Sequence, residues 1–319
     1  MAQSPVLIGT RGSALAVTQT TTVAEALSGL GGFDIELVRV RTEGDINRAA
    51  LSQIGGTGVF VAALRESLLR GDCDVAVHSL KDLPTAPADG LALGAVPERV
   101  DVRDVLCARD GLTLAQLPAG AKIGTGSPRR AAQLRAARPD LEIVDIRGNV
   151  DTRLGRVAGL VEGAPGDLDA VVLAAAGLAR LGRLNMVTEY IDPAVMLPAP
   201  GQGALAVECR AADAADGGQL AKALAAYDHA DSRLTVAAER AMLGRLEAGC
   251  TAPVGALARV DADGITLEAV VCSDDGTRLM RRTAVAGERT EDAARALGVQ
   301  VAEELLAAGA GQLTDLPAS

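Results

Sequence analysis

This chain has little with which to stack on a nucleobase or ring a metal. It contains no tryptophan, two phenylalanines, two tyrosines and two histidines, His78 and His229. Base-stacking platforms and imidazole clusters are thereby excluded as main themes. Its five cysteines, Cys73, Cys107, Cys209, Cys250 and Cys272, are odd in number and scattered without a CxxC pair. That usage argues against a disulfide framework and against a zinc site, and reads mostly as small buried hydrophobes; no metal is expected. No apolar run is long enough to span a bilayer, and the start lacks the basic and apolar stretches of a signal peptide, so a cytoplasmic protein with no membrane partner is expected. The GxxxxGK[ST] loop is missing, as is a GxGxxG turn opening a βαβ unit, which makes nucleotides poor candidates. A formal charge of −10 leaves no general basic face for nucleic acid, and none is expected as a partner.

What is present is concentrated. At 319 residues, 49% of them hydrophobic, the chain calls for two or three domains. Arginine crowds into one stretch as Arg129, Arg130, Arg135, Arg138, Arg147, Arg153 and Arg156. The segment from Val75 to Pro84 is the most informative: an apolar run typical of a buried strand stops in His78, Ser79, Lys81 and Asp82, and Pro84 blocks regular continuation. In open α/β sheets ligands bind outside the carboxyl ends of strands, which puts Lys81 and Asp82 where a substrate would sit. A solvated loop would look much the same in this segment alone.

The same strand-then-charge pattern recurs. Val6 to Ile8 reads as a strand, with Arg11 in the turn and Ser13 as the N-cap of a helix to about Leu27. Ile35 to Val40 is a second strand, and the glycines at 55, 56 and 58 precede a helix from about Val59 to Arg70. Leu91 to Val96 supplies another strand, and the charged passage from Pro97 to Asp104 reads as a domain crossing. Lys122 to Gly124 leads into Ser127-Pro128, a strong helix start; Glu142 to Ile146 and Ala170 to Leu173 are further strands. Arginine follows each of these three strands. The turn-rich stretch from Leu197 to Gly203 reads as a second crossing, with Ala204 to Glu208 as a strand beyond it. Helices at about 218–227 and 232–247, the second closing at Gly249, come next. A three-stranded meander (254–260, 265–272, 279–285) and a helix over 291–307 end the chain.

A helix opening Ser127-Pro128-Arg129-Arg130 suits a carboxylate or a phosphate, and the residues do not choose between them. Any one arginine taken alone is better explained by a surface salt bridge. Arg11, Arg129, Arg130, Arg147, Arg153 and Arg180 near strand or helix starts favour a polyanionic ligand. Cys250 lies in a constrained turn after Gly249 and reads first as an inert packing residue, with nucleophile and covalent attachment point as the alternatives. His78 and His229 have no local support as bases for a thiol, and His229 reads as a surface residue in a helix connection.

Six stretches taken in order resemble the porphobilinogen deaminase family from Val6 to about Leu313: IGTRGSALAV at Ile8, AVHSLKDLP at Ala76, GTGSPRR at Gly124, RGNVDTRL at Arg147, PAPGQGALAVECR at Pro198 and AERAMLGRLEAGC at Ala238. The resemblance implies three α/β domains: 1–99 with 201–220, 100–200, and 221–319. The first two would resemble type II periplasmic binding proteins, with mixed sheets and a double-crossover hinge, and the third would be a small α/β domain with a three-stranded sheet. It implies a transferase, hydroxymethylbilane synthase, which deaminates four porphobilinogen molecules and joins them head to tail on a dipyrromethane primer. That cofactor would be held through a thioether to Cys250. Asp82 matches the catalytic aspartate. Arg11, Ser13, Lys81, Thr125, Ser127, Arg129, Arg130, Arg147, Gly148, Asn149, Arg153, Arg180 and Gln202 match residues that bind cofactor or substrate. Phe60 is a candidate for stacking on a pyrrole, although a core role suits its spacing as well. The family's lysines in the Gly-rich loop are replaced by Gln53 and Thr57, while Gly55, Gly56 and Gly58 still permit a lid. A monomer is the default. Two rivals are a non-catalytic anion-binding protein, which leaves Cys250 without a role, and a thiol hydrolase, which needs a base for it.

Overall fold

In the computed structural model, residues 4–40, 58–249, 252–314 and 316 are described. The first leg of the chain makes β1 (Val6–Thr10), α1 (Ala14–Gly31), β2 (Ile35–Arg39), α2 (Gly58–Arg70), β3 (Val75–Ser79) and β4 (Leu91–Ala95). The second makes β5 (Asp104–Ala108), β6 (Lys122–Gly124), α3 (Pro128–Ala137), β7 (Glu142–Val144), α4 (Val150–Leu154), β8 (Ala170–Ala174), α5 (Ala175–Arg180) and β9 (Glu189–Tyr190). The third returns with β10 (Leu205–Arg210), α6 (Ala211–Ala215), α7 (Gln219–Tyr227) and α8 (Ala230–Arg245), and closes with β11 (Val254–Asp261), β12 (Gly264–Cys272), β13 (Leu279–Ala286) and α9 (Glu291–Ala307).

These elements form two compact units. One holds Met1–Val100 and Ala204–Arg233, the other Asp101–Gly203 and Leu234–Ser319. The first is built on a sheet of order β2-β1-β3-β10-β4, with β1, β2 and β3 parallel and β10 antiparallel to both its neighbours. The second contains a sheet of order β7-β6-β8-β5-β9, where β6, β7 and β8 are parallel and β5 antiparallel. In both sheets the antiparallel inner strand is the first one laid down after the chain has crossed from the other unit. The second unit also carries the antiparallel meander β11-β12-β13. The fold is therefore mixed α/β with two five-stranded sheets exchanging strands through two crossings, and a separate three-stranded sheet, as the sequence leads one to expect.

The strands read as continuous apolar runs because both faces are covered. In the first unit Ile8, Val75, Val77, Leu205 and Val207 pack with Val23 and Leu27 of α1 and Leu224 of α7, while Ala76 meets Leu64 and Leu68 of α2 on the other face. In the second, Leu106, Ile123 and Val172 face Leu134 of α3, and Val105, Val171 and Leu173 face Leu154 and Leu178. The meander buries Ala256, Leu267 and Val271 against Met242 of α8 and Leu297 and Val301 of α9. Among the described residues no helix is long and apolar enough to cross a membrane.

β9 and α6 have no counterpart in the sequence reading, and three further elements differ from it. β5 lies where the charged linker seems to continue, because its five residues open with an aspartate that turns out to be buried. α1 runs on to Gly31 and stops where Gly32 turns left-handed at φ 65°. α8 ends at Arg245, and the left-handed residue after it is Glu247 (φ 49°) rather than Gly249. The bonds from Glu247 N to Gly244 O (3.1 Å) and from Ala248 N to Leu243 O (3.3 Å) close that end as a Schellman-type cap.

Candidate active site

β3 ends at Ser79, and a single 3-10 turn, Leu80–Asp82, follows it. Leu80 N donates to Ala204 O (3.0 Å) and Leu83 N to Leu80 O (3.0 Å), so the turn is anchored at both ends and Pro84 stops it from growing. Asp82 is thereby set at the mouth of a cavity of about 170 Å³, lined also by Arg11, Ser13, Gln19, His78 and Ser79. Arg11 and Ser13 come from the β1–α1 turn, where Ser13 Oγ caps α1 by accepting from Ala16 N (3.3 Å). Gln19 Nε2 donates to Ser79 Oγ (3.0 Å), pinning α1 to the end of β3. A carboxylate, a guanidinium and hydroxyls converging on one small cavity suit a substrate carrying both a cation and carboxylates.

Behind this wall stands a buried network that sequence reasoning missed. In the β3–β10 register His78 faces Ala206, and Glu208 lies two residues further along the same face. Glu208, only 4% exposed, is gripped by Arg65 of α2 through Nη2 (2.8 Å) and Nε (3.1 Å). His78 Nε2 is 3.1 Å from Glu208 Oε2, within ion-pair distance but not aligned as a hydrogen bond. Burial pushes the Glu208 carboxyl up, yet His78 and Arg65 outweigh it and hold its pKa below the usual value. The period-two alternation of AVHS and LAVE carried a signal, since His78 and Glu208 each sit at a position facing away from the valines.

The second unit gathers the arginine motifs. Gly126 has no room for a side chain, since a Cβ there would come within 2.5 Å of Ile146 O; the loop before α3 thus packs directly on the chain leading to Arg147. Ser127 caps α3, with Pro128 in its first turn. Arg129 and Arg130 then turn inward onto Asp104, the fully buried first residue of β5. Arg129 Nη1 donates to Asp104 Oδ2 (2.7 Å) and Leu197 O (2.6 Å); Arg130 Nε donates to Asp104 Oδ1 (2.9 Å) and its Nη1 to Val172 O (3.1 Å). Gln202 Nε2 completes the group with 2.9 Å to Asp104 Oδ1 and 2.8 Å to Val102 O. Burial raises the Asp104 carboxyl, but the two guanidiniums and Gln202 prevail and hold it far below the usual carboxylate range. For Arg129 burial wins, aided by Arg130 and opposed by Asp104, and its pKa is lowered.

Asp104→Asn is expected to destabilise the second unit by about 3–5 kcal/mol, the usual effect of breaking a buried charge pair, read from urea unfolding. Because the folded carboxyl is depressed, the stability that Asp104 contributes is present above the ordinary aspartate value near ~3.9 and is lost as pH falls below it toward the folded value. The wild-type protein should therefore lose stability with acid more steeply than the variant; parallel curves would remove Asp104 as the cause.

The remaining motif residues make contacts of their own. Gly148 adopts φ 112°, and its carbonyl accepts from Arg153 Nε (2.8 Å). Burial and the nearby Arg130 lower the Arg153 pKa, with Asp145 opposing. Asn149 caps α4 through Thr152 N (2.8 Å), Thr125 Oγ1 accepts from Ser127 N (3.2 Å), and Arg180 Nη2 donates to Gly203 O (2.9 Å). Arg147 is exposed, 3.9 Å from Asp145. Glu239, also overlooked in the sequence, takes Gly201 N (2.6 Å) and Ala258 N (2.8 Å) and so ties the stretch before β10 to α8 and β11. His229 is exposed, its Nδ1 accepting from Ser232 N (3.2 Å) at the start of α8.

Cys73, Cys107, Cys209 and Cys272 are buried; burial raises the Cys73 thiol, pushes Cys107 up to about 12 and Cys209 and Cys272 to about 11, so all four are inert packing residues. Cys250, Gln53, Gly55, Gly56, Thr57 and the side chain of Phe60 lie outside the described residues. Among the described residues no cluster of His, Cys, Asp and Glu is able to hold a metal.

An aspartate-and-arginine cavity at a strand end in one unit, and two buried guanidiniums paired with one carboxylate in the other, define a two-crossing α/β protein with a charged site at a strand end. A family model described as "Porphobilinogen deaminase, dipyromethane cofactor binding domain" matches residues 6–216, and "Porphobilinogen deaminase, C-terminal domain" matches 233–307. The chain belongs to the porphobilinogen deaminase family, whose members are transferases of tetrapyrrole biosynthesis. Relatives named porphobilinogen deaminase include those of Leifsonia xyli subsp. xyli (56% identical, covering 98% of this chain and 95% of that one) and Cutibacterium acnes (55%, 99% and 98%). Micrococcus luteus has another (54%, 97% and 94%). A periplasmic substrate-binding protein of an ABC transporter from Coxiella burnetii aligns at 15% identity over 70% of this chain and 91% of its own, with a TM-score of 0.43.

The residues present fit the dipyrromethane cofactor of this family. Asp104, Arg129 and Arg130 together leave one net positive charge in a buried place, and Arg129 Nε has no hydrogen-bond partner among the described residues. A buried cation in surplus is stabilised by an anion, and a carboxylate-bearing group provides one.

Proposed function

We propose that the chain is a hydroxymethylbilane synthase: it deaminates porphobilinogen and condenses four molecules head to tail, releasing ammonia and a linear tetrapyrrole. The observation that carries this reading is the placing of Asp82 at the end of β3 in the cavity lined by Arg11 and Ser13. Cys250 would hold dipyrromethane, which would supply the pyrrole carbon on which growth begins. The protein works in the cytoplasm as a monomer, without nucleic acid. We keep three domains, 1–99 with 201–220, 100–200 and 221–319, except that 201–203 go with the second, where Gln202 bonds Asp104, and α7 goes with the first, because Leu224 packs in that core.

Each step draws on this chain's own groups. Arg11 and Ser13 take the substrate's acetate and propionate, helped by Lys81 from the turn that carries Asp82, and orient the aminomethyl group toward Asp82. Loss of ammonia leaves a cationic methylene pyrrole, and the Asp82 carboxylate offsets that charge while accepting from the pyrrole N–H. In the second unit Thr125, Ser127, Arg129, Arg130, Arg147, Gly148, Asn149, Arg153, Arg180 and Gln202 hold or shape the seat for carboxylates of cofactor and growing chain. Bidentate guanidiniums do this locally, which is how a protein of charge −10 binds a polyanion.

Incubation of the purified protein with porphobilinogen should release one ammonia per molecule consumed and yield a product with the mass of the tetrapyrrole. Tight binding without ammonia would make the protein a mere anion binder and end this proposal. Arg130→Leu is expected to yield protein largely lacking the cofactor by intact mass; full loading with normal turnover would leave Arg130 only its structural bond to Asp104.

A further inference from the structure

α3 carries Arg129 and Arg130 in its first turn and, one turn later, Gln133, which is 1% exposed and belongs to none of the motifs that announce the site. Its amide is taken up by the backbone of Leu197, in the second crossing: Oε1 accepts from Leu197 N (2.8 Å), and Nε2 donates to Leu197 O (3.1 Å) and to Arg129 O (3.3 Å). An amide that pairs with both polar groups of one residue does what a neighbouring strand would do. β11 closes the other side. Ala256 N donates to Pro198 O (2.9 Å), and a Cβ on Gly255 would come within 2.9 Å of Leu197 O, so the passage has no slack.

Leu197 O is also the acceptor of Arg129 Nη1 at 2.6 Å, and that same nitrogen donates to Asp104 Oδ2 at 2.7 Å. One guanidinium nitrogen is thus strung between a carboxylate and a carbonyl whose place Gln133 fixes. The other oxygen of Asp104 takes Arg130 Nε and Gln202 Nε2, both at 2.9 Å, so a shift of Leu197 passes through Arg129 and Asp104 to Arg130. We propose that Gln133 is a positioning residue for the carboxylate-binding arginines of the second unit. It acts by holding Leu197 O in place for Arg129 and touches no ligand itself. Residues of this outer kind set the direction of those that bind. The inference rests on the hydroxymethylbilane synthase reading, in which every added ring brings an acetate and a propionate for these arginines to hold.

The test compares Gln133→Met, which keeps the side-chain length and loses all three bonds, with Val157→Ala, a core truncation beyond α4 that lies outside this network. Urea unfolding establishes that both are folded under the assay conditions. As purified, Gln133→Met is expected to carry the dipyrrole by intact mass in a fraction at least ~5-fold below wild type, the effect of disturbing one charged hydrogen bond, while Val157→Ala stays loaded. In the loaded molecules, told apart by mass, the first ring should add within about 2-fold of the wild-type rate and later rings at least ~10-fold more slowly, because the number of carboxylates to be held grows with the chain. Destabilisation by itself slows every addition alike. Adding Gln133→Met to Arg129→Lys should change loading and rates by less than about 2-fold further, as expected when one residue acts through the other. Should Gln133→Met fail to fold, Gly255→Ala presses on Leu197 O from the β11 side and is read in its place. Loading equal to wild type, slowing that is uniform with chain length, or additive effects in the double variant would each overturn the assignment while leaving the function intact. Wild-type protein that releases no ammonia would instead overturn the function beneath it.

Discussion

Cys250→Ala is expected to yield protein whose intact mass equals that of the sequence, whereas the wild-type protein exceeds it by one dipyrrole. Turnover should fall below about one thousandth of wild type, since a tethered primer acts at an effective concentration that no free dipyrrole reaches. The assignment of Cys250 is partly one of exclusion. The other four cysteines are buried with raised pKa values and have neither the exposure nor the thiolate for such a bond. It is also one of placement, because α8 ends at Arg245 in a left-handed turn at Glu247, which brings the helix to a stop just ahead of this residue. Wild-type protein made with ample porphobilinogen and still carrying no added mass would defeat both the attachment and the role of Cys250.

Asp82→Asn should separate binding from chemistry. Asparagine keeps the size and one acceptor but no charge, so the cofactor mass should remain while kcat falls by about 10²–10³, the effect of removing one preorganised electrostatic group. KM should move little, because Arg11 and Ser13 and not Asp82 are assigned to the substrate's carboxylates. Kinetics of the loaded variant decide the matter, and near-normal turnover would take Asp82 out of the mechanism.

Much of this was legible in the chain. The run Ala76-Val77-His78-Ser79-Leu80-Lys81-Asp82 marks a strand end with charge beyond it because a buried strand rarely carries a charge without a buried partner, and β3 with its short turn is the result. Ser13 and the Ser127-Pro128 pair declare helix starts through local hydrogen bonding and a preset φ, which need no tertiary partner. β5 was hidden for a physical reason: Asp104 reads as the end of a charged linker until two guanidiniums, more than twenty residues away in sequence, neutralise it in the core. The same pairing gives Arg129 and Arg130 a different look. As sequence they are cations projecting from a helix start; in the fold they are largely committed to Asp104, Leu197 O and Val172 O.

The sequence by itself determined most of the strands and helices, the helix starts at Ser13 and Ser127 and the family, since each depends on residues near one another in the chain. Only the tertiary structure decided which charges meet. His78 and Glu208 lie far apart in sequence and become neighbours because β10 returns antiparallel to β3 in one register. Arg129, Arg130 and Gln202 converge on Asp104 because β5 inserts beside β8. Long-range pairings of this kind follow from sheet closure and burial, and no local pattern of residues encodes their geometry.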